Sequence, residues 1–298
     1  MKVLVSGGTG LVGRYIVEDL LAAGYDVTVG GRHAPQPSLF SKPVRSVPLL
    51  LDADLDQISA FDEAYFFVHA AFDHLPGHYR GGEGDDPSGF RRRNLDGTVS
   101  LFETARRAGV RRCVFLSSRA VYDGVASGTA LDEDLELSPQ TLYGAVKLTA
   151  EQVLRDLTSP GFAGASLRLT GVYGDLRPNK WDALVDDYLA GRPIAARAGS
   201  EVHGRDVGRA VRLMLETEAP KISGQVFNVS DIVADRYDIL ALVQKATHCP
   251  HPLPEVADKG AVAEMPTARI RALGWQPGGQ KLLEETVRRL VGSEVQAG

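Results

Sequence analysis

The 298-residue chain is 44% hydrophobic and 24% charged, ordinary globular proportions that exclude disorder, collagen-like repeats and a coiled coil. No apolar run reaches the ~18 residues of a membrane span, and 33 basic against 38 acidic side chains (net charge -5) lack the basic footprint of a nucleic-acid binder. Two cysteines, Cys113 and Cys249, and a start with no charged-then-apolar leader point to the reducing cytoplasm.

Through residues 1–173, short β-branched runs alternate with amphipathic stretches, the pattern of βα units that build an α/β doubly wound parallel sheet. Strands are expected at Lys2–Ser6, Asp26–Val29, Val44–Leu50, Ala64–Ala70, Arg112–Ser117 and Ala165–Leu169. After the first strand, Arg14–Ala23 sets Ile16, Val17, Leu20 and Leu21 on one stripe, and Gly24 is placed to end that helix in the left-handed region. A Gly-rich, charged segment, Phe72–Arg93, follows the fourth strand and is expected to lie over the site. Gln140–Leu157 forms a second amphipathic helix behind the start signals Ser138 and Pro139. Residues 174–298 loosen into helices and short strands such as Gln225–Val229, a Pro-rich turn at Cys249–Pro254 and a final packed helix, Lys281–Val291. They read as a smaller mixed α/β substrate-binding lobe with some chain crossing between lobes.

The stretch Ser6-Gly7-Gly8-Thr9-Gly10-Leu11-Val12-Gly13 leads from a strand directly into a helix. Its glycines permit a tight turn and close backbone approach, and the open N–H groups at the helix start suit a pyrophosphate. The second strand ends Val29-Gly30-Gly31-Arg32, without the acid that would hydrogen-bond an adenosine ribose 2′-hydroxyl. Arg32 can instead hold a 2′-phosphate in bidentate fashion, which favours NADP over NAD.

Tyr143 and Lys147 are four residues apart and share a helical face. A tyrosine of pKa ~10 becomes a usable base when a cation favours its phenolate. Ser117 and Ser118 close a strong strand and bring hydroxyls to the carboxyl edge of the sheet, where open α/β sheets bind ligands. Ser118 is placed to orient a substrate oxygen, whereas Ser117 reads as a turn residue. The groups His69/His74/His78 and His248-Cys249 with His251 lack an obvious complete ligand set, so no metal is expected.

Together with Asp54-Leu55, His69-Ala70-Ala71, Asn94-Leu95-Asp96-Gly97-Thr98, Val121-Tyr122, Leu167-Arg168, Val172-Tyr173-Gly174, His203/Asp206 and Leu273-Gly274-Trp275, these motifs occur in one characteristic order. Over nearly its whole length the chain resembles an extended short-chain dehydrogenase/reductase of the NAD-dependent epimerase/dehydratase family. The resemblance implies Tyr143 as general acid/base, Lys147 as ribose ligand and tuner of the tyrosine, and Ser118 as orienter of the substrate oxygen. It implies further that Gly7, Gly10, Leu11, Val12 and Gly13 contact the pyrophosphate, that Asp54 and Leu55 flank adenine, and that Ala70, Ala71 and Asn94 line the cofactor channel. Thr170 would lie near the nicotinamide. A homodimer through helices near Leu95–Ala108 and Leu142–Leu157 is implied in the same way.

The departures from the family pattern narrow the reading. Arg119 and Ala120 stand where sugar-nucleotide dehydratases carry acids, which argues against dehydration. Gly199 stands where epimerases place a diphosphate-binding arginine four residues before the histidine matching His203, and Asp175 replaces the usual proline after Tyr-Gly. The expected activity is hydride transfer between the nicotinamide, with NADP favoured, and a carbonyl or secondary alcohol of a small polar, sugar-like substrate. His74, Tyr79, Arg80 and Arg119 are candidate substrate contacts. The alternatives are a nucleotide-sugar epimerase with retained NAD and a cofactor-bound sensor or assembly factor.

Overall fold

The computed structural model describes residues 1–75, 82–177 and 179–295; Tyr79 and Arg80 lie outside the described residues. Among the described residues ten strands are formed: β1 (Lys2–Ser6), β2 (Asp26–Gly31), β3 (Arg45–Pro48), β4 (Phe66–His69), β5 (Arg112–Ser118), β6 (Ala163–Leu169), β7 (Gly171–Tyr173), β8 (Ala198–His203), β9 (Gln225–Val229) and β10 (Ile232–Asp235). The helices are α1 (Leu11–Ala22), α2 (Pro87–Arg91), α3 (Gly97–Arg107), α4 (Leu142–Leu157), α5 (Asp182–Leu189), α6 (Gly204–Glu216), α7 (Ala219–Ile222), α8 (Arg236–Thr247), α9 (Ala268–Ala272) and α10 (Gly279–Val295). One π-helical turn, Arg92–Asp96, joins α2 to α3.

The main sheet has the order β3-β2-β1-β4-β5-β6-β9 and all its pairings are parallel. Alternation along each strand feeds two cores. Val3 and Val5 pack in the layer with Ile16, Val17 and Leu20, while Leu4 packs on the other face with Phe61, Phe67, Phe102 and Phe115. The chain moves outward from β1 in one direction to β2 and β3 and in the other to β4, β5 and β6. The resulting crevice at the carboxyl edge beside β1 is the switch point at which such sheets bind ligands. Gly24, at φ 84°, ends the first helix as expected.

The layers do not divide at residue 173. Strand β9 is the seventh strand of the main sheet, and α6 buries Val207, Ala210, Val211, Met214 and Leu215 in the core that contains Ile16 and Leu20 of α1. Each such aliphatic side chain contributes on the order of 2 kcal/mol when removed from water. That burial binds residues 204–229 to the first core, although they follow the strand switch in sequence.

The smaller lobe consists of the sheet β10-β8-β7 with α5, α8 and α10 around Tyr173, Trp181, Tyr188, Leu240, Val243, Leu283 and Val287. Asp175, the residue that departs from the family's proline, fastens this lobe to the first. Its carboxylate accepts from Tyr15 Oη at 3.1 Å, Arg205 Nη2 at 2.6 Å and Arg289 Nη1 at 2.9 Å. Burial raises its pKa, but the arginines outweigh that and hold it below the usual carboxylate value. No helix among the described residues is long and apolar enough to cross a membrane.

Candidate active site

Gly7 begins the loop after β1 with φ +67°, and a Cβ there would meet Ala71 N at 2.6 Å. A Cβ on Gly13 would strike the Gly7 carbonyl, so the turn and the start of α1 are closed to any other residue at these two positions. Gly10 is the N-cap of α1, with no side-chain cap and no acid in the first turn. Leu11 and Val12 are the first helical residues and are only half-buried. The helix start therefore keeps its positive end and open N–H groups available, as a pyrophosphate requires.

Beneath this loop, Ser6 Oγ lies 2.7 Å from His69 Nδ1 and accepts from Ala71 N at 3.3 Å. His69 Nε2 is 3.0 Å from Thr98 Oγ1. Burial pushes the His69 pKa down to about 3, with Lys147 adding to the shift, so the ring is a neutral strut. Among the described residues no histidine, cysteine or carboxylate cluster could hold a metal.

Helix α4 starts at the cap Thr141, whose Oγ1 accepts from Gly144 N at 3.1 Å, and this places Tyr143 on the first turn. Lys147, one turn on, is 5% exposed and donates to the Leu116 carbonyl at 2.7 Å. Its ammonium lies 4.4 Å from the Phe72 ring centre, 4.7 Å from Phe115 and 6.0 Å from the Tyr143 ring. Phe72 also meets Tyr143 edge to face at 5.0 Å. Burial lowers the Lys147 pKa to about 7, partly offset by Glu151. Ser118 ends β5 in register with Leu169 of β6, and its Oγ accepts from Ala120 N at 3.2 Å. Thr170 follows directly and is buried, with its N–H on Val229 O at 3.2 Å.

Ser117 belongs to a different assembly. It donates to Glu151, which Arg168 grips through Nε at 3.1 and 3.2 Å and Nη2 at 2.7 Å. Arg168 continues to Tyr122 Oη at 2.9 Å, and Tyr122 to Asn228 Oδ1 at 2.8 Å.

The remaining expected residues are dispersed. Arg32 is 75% exposed on its side chain and stands 3.6 Å from Asp73. Asn94, expected to line the cofactor channel, is buried, and its amide is engaged by main chain: Nδ2 donates to Asp73 O at 2.7 Å and Phe90 O at 3.1 Å, while Oδ1 accepts from Asp73 N at 2.7 Å. It therefore fixes the chain after β4. Asp54 and Leu55 are exposed in a turn, with Asp54 N on Asp52 Oδ1 at 3.0 Å. Ala70 and Ala71 border the glycine loop through the Ser6 contacts. His74 lies beside the Phe72 ring at 6.3 Å, and Arg119 opens the single 3-10 turn after Ser118. Within the expected Phe72–Arg93 segment, the contacts of Phe72 with Tyr143 and Lys147 and of Asp73 with Arg32 were not legible, because only the fold brings these residues together.

Residues 3–230 match the NAD dependent epimerase/dehydratase family. The chain belongs to that family. Family members similar to it include UDP-glucose 4-epimerases of Bacillus subtilis (32% identical over 53% of this chain and 48% of that one) and Corynebacterium glutamicum (28%, covering 93% and 91%). A D-erythronate dehydrogenase of Cupriavidus necator is 32% identical over 64% of this chain and 60% of its own. Among solved structures, the Thermus thermophilus UDP-glucose 4-epimerase in complex with NAD superposes with a TM-score of 0.78 at 28% identity, covering 98% of this chain and all of that one. The chain is an enzyme of the extended short-chain dehydrogenase/reductase type, and the glycine loop, the bare helix start and buried Lys147 fit a dinucleotide.

Proposed function

We propose that this enzyme is an NADP-preferring oxidoreductase acting on a carbonyl or secondary alcohol of a small polar, sugar-like substrate. The reading is carried by Tyr143 and Lys147 one turn apart on α4, with Lys147 donating to Leu116 O two residues before Ser118 at the end of β5, and by Arg32 in place of an acid after β2. When bound, the nicotinamide supplies or accepts the hydride. Tyr143 gives its phenolic proton to the substrate oxygen in reduction and takes one in oxidation. Lys147, in an aromatic shell with one main-chain oxygen as partner, lowers the cost of the phenolate. Ser118 directs its hydroxyl to the same oxygen and fixes the reacting carbon.

Gly199 offers no cation for a diphosphate, which supports a substrate smaller than a nucleotide sugar. The second reading, epimerisation with retained NAD, is favoured by the activities of the similar UDP-glucose 4-epimerases. A homodimer through α3 and α4 is part of the proposal; a groove lined by Leu95, Val99, Thr149 and Val153 runs between these helices.

Absorbance at 340 nm with NADPH, NADH and a carbonyl panel separates the readings. Net NADPH consumption, with Arg32→Ala weakening NADPH about tenfold and NADH little, supports the proposal. Copurified NAD(H) with no net absorbance change supports epimerisation and overturns the oxidoreductase reading.

A further inference from the structure

We propose that Asp73 is a specificity-determining residue: its fixed carboxylate competes with a 2′-phosphate for Arg32 and so narrows the preference for NADP(H) over NAD(H). The inference rests on the NADP reading above.

Strand β1 lies between β2 and β4 in the sheet. Arg32 follows β2 and Asp73 follows β4, so their ion pair at 3.6 Å spans the carboxyl end of β1, beside the glycine loop and the bare start of α1 that suit a phosphate. The neighbouring Phe72 faces the opposite end of the crevice, against Tyr143 and Lys147. Two consecutive residues thus reach toward both halves of the dinucleotide site.

Asp73 is not free to withdraw. Its carboxylate accepts from Arg93 Nε at 2.7 Å, and its N–H and C=O are both held by the buried Asn94 amide at 2.7 Å. Arg32, three-quarters exposed, is the partner that can move. A 2′-phosphate carries nearly two negative charges and must share Arg32 with that carboxylate, whereas ribose hydroxyls carry no charge. Opposed charges at exposed distances of this order change binding about threefold to fivefold.

Fluorescence titration of the full chain with NADPH and with NADH tests this. Asp73→Asn keeps the size and an acceptor for Arg93; it should tighten NADPH about threefold to fivefold and leave NADH within about twofold. In an Arg32→Ala background the same change should no longer favour NADPH. An unchanged NADPH-to-NADH ratio, or weaker NADPH, in Asp73→Asn overturns the inference. If Arg32→Ala weakens NADPH while Asp73→Asn changes nothing, only the role of Asp73 falls; if Arg32→Ala is silent, the NADP reading falls with it. Asp73→Ser, checked by thermal melting against the parent, replaces Asp73→Asn if that variant does not fold.

Discussion

Lys147 and Glu151 occupy successive turns of α4, and both are buried, yet their surroundings are opposite. Glu151 receives Ser117 and three contacts from Arg168, which goes on to Tyr122, so the charges are paired and hydrogen-bonded. Lys147 has one carbonyl and a set of aromatic rings. The first arrangement holds β5, β6 and α4 together, since a fully satisfied network gains nothing from a ligand. The second leaves an ammonium short of oxygen partners beside a phenol, the arrangement from which the proposed ribose and proton-transfer roles are argued.

Tyr143→Phe breaks the reactive half most selectively. Turnover should fall about 10³-fold, while the melting temperature stays within about 2 °C because only a half-buried hydroxyl is lost. Arg168→Met breaks the other half. It leaves Glu151 buried without its hydrogen-bonded guanidinium and should remove about 3–5 kcal/mol in urea unfolding, and the double change with Glu151→Met should recover most of that. If Arg168→Met instead lost turnover with full stability, the division of labour along α4 would be wrong.

Lys147→Met sharpens the contrast, because the two halves predict different signs. Turnover should fall about 10²-fold without loss of stability at pH 7, since a poorly solvated charge is removed. The Lys147 pKa is lowered from 10.5 to about 7, so between these values the unfolded chain holds a proton that the native one has released. Native stability should therefore rise with pH across that window, and the rise should vanish in Lys147→Met, read from urea midpoints.

A further pH effect concerns the neutral histidines. Burial lowers His69 to about 3 and His203 to about 4, from 6.5, and the Nδ1 of His203 accepts from Arg205 N at 3.0 Å. The unfolded chain binds these protons first, so stability should decline as pH falls from 6.5 toward 4. His203→Asn should flatten part of that slope.

Much of this molecule is legible in its amino-acid order. The β-branched runs gave strands β1, β2, β4, β5 and β6 within a few residues, and Gly24 marks a helix end for a local reason, whereas α4 starts at the cap Thr141 rather than directly behind the expected signals Ser138 and Pro139. Tyr143 and Lys147 are paired by helical spacing alone, and the glycines by the backbone path they permit. Ser117, read as a turn residue, instead lies within β5 and donates to Glu151, a partner that only the packing of α4 on the sheet supplies. The hydrogen bonds of Asn94 to Asp73 were not legible, since only the π-helical turn directs its amide there. The placement of α6 and β9 escaped for a similar reason: an apolar stripe shows that a partner exists without saying which.

The sequence by itself determined most of the elements, the glycine turn between β1 and α1 and the placing of Tyr143 and Lys147 one turn apart on α4, because each depends on residues within one strand, turn or helix. Tertiary structure alone decided that Asp73 stands before Arg32, that Phe72 covers Lys147, that Asp175 fastens the two lobes and that Glu151 belongs to Arg168. These pairings join residues far apart in the chain. Their electrostatic energies are set by distance and desolvation, which the order of residues does not contain.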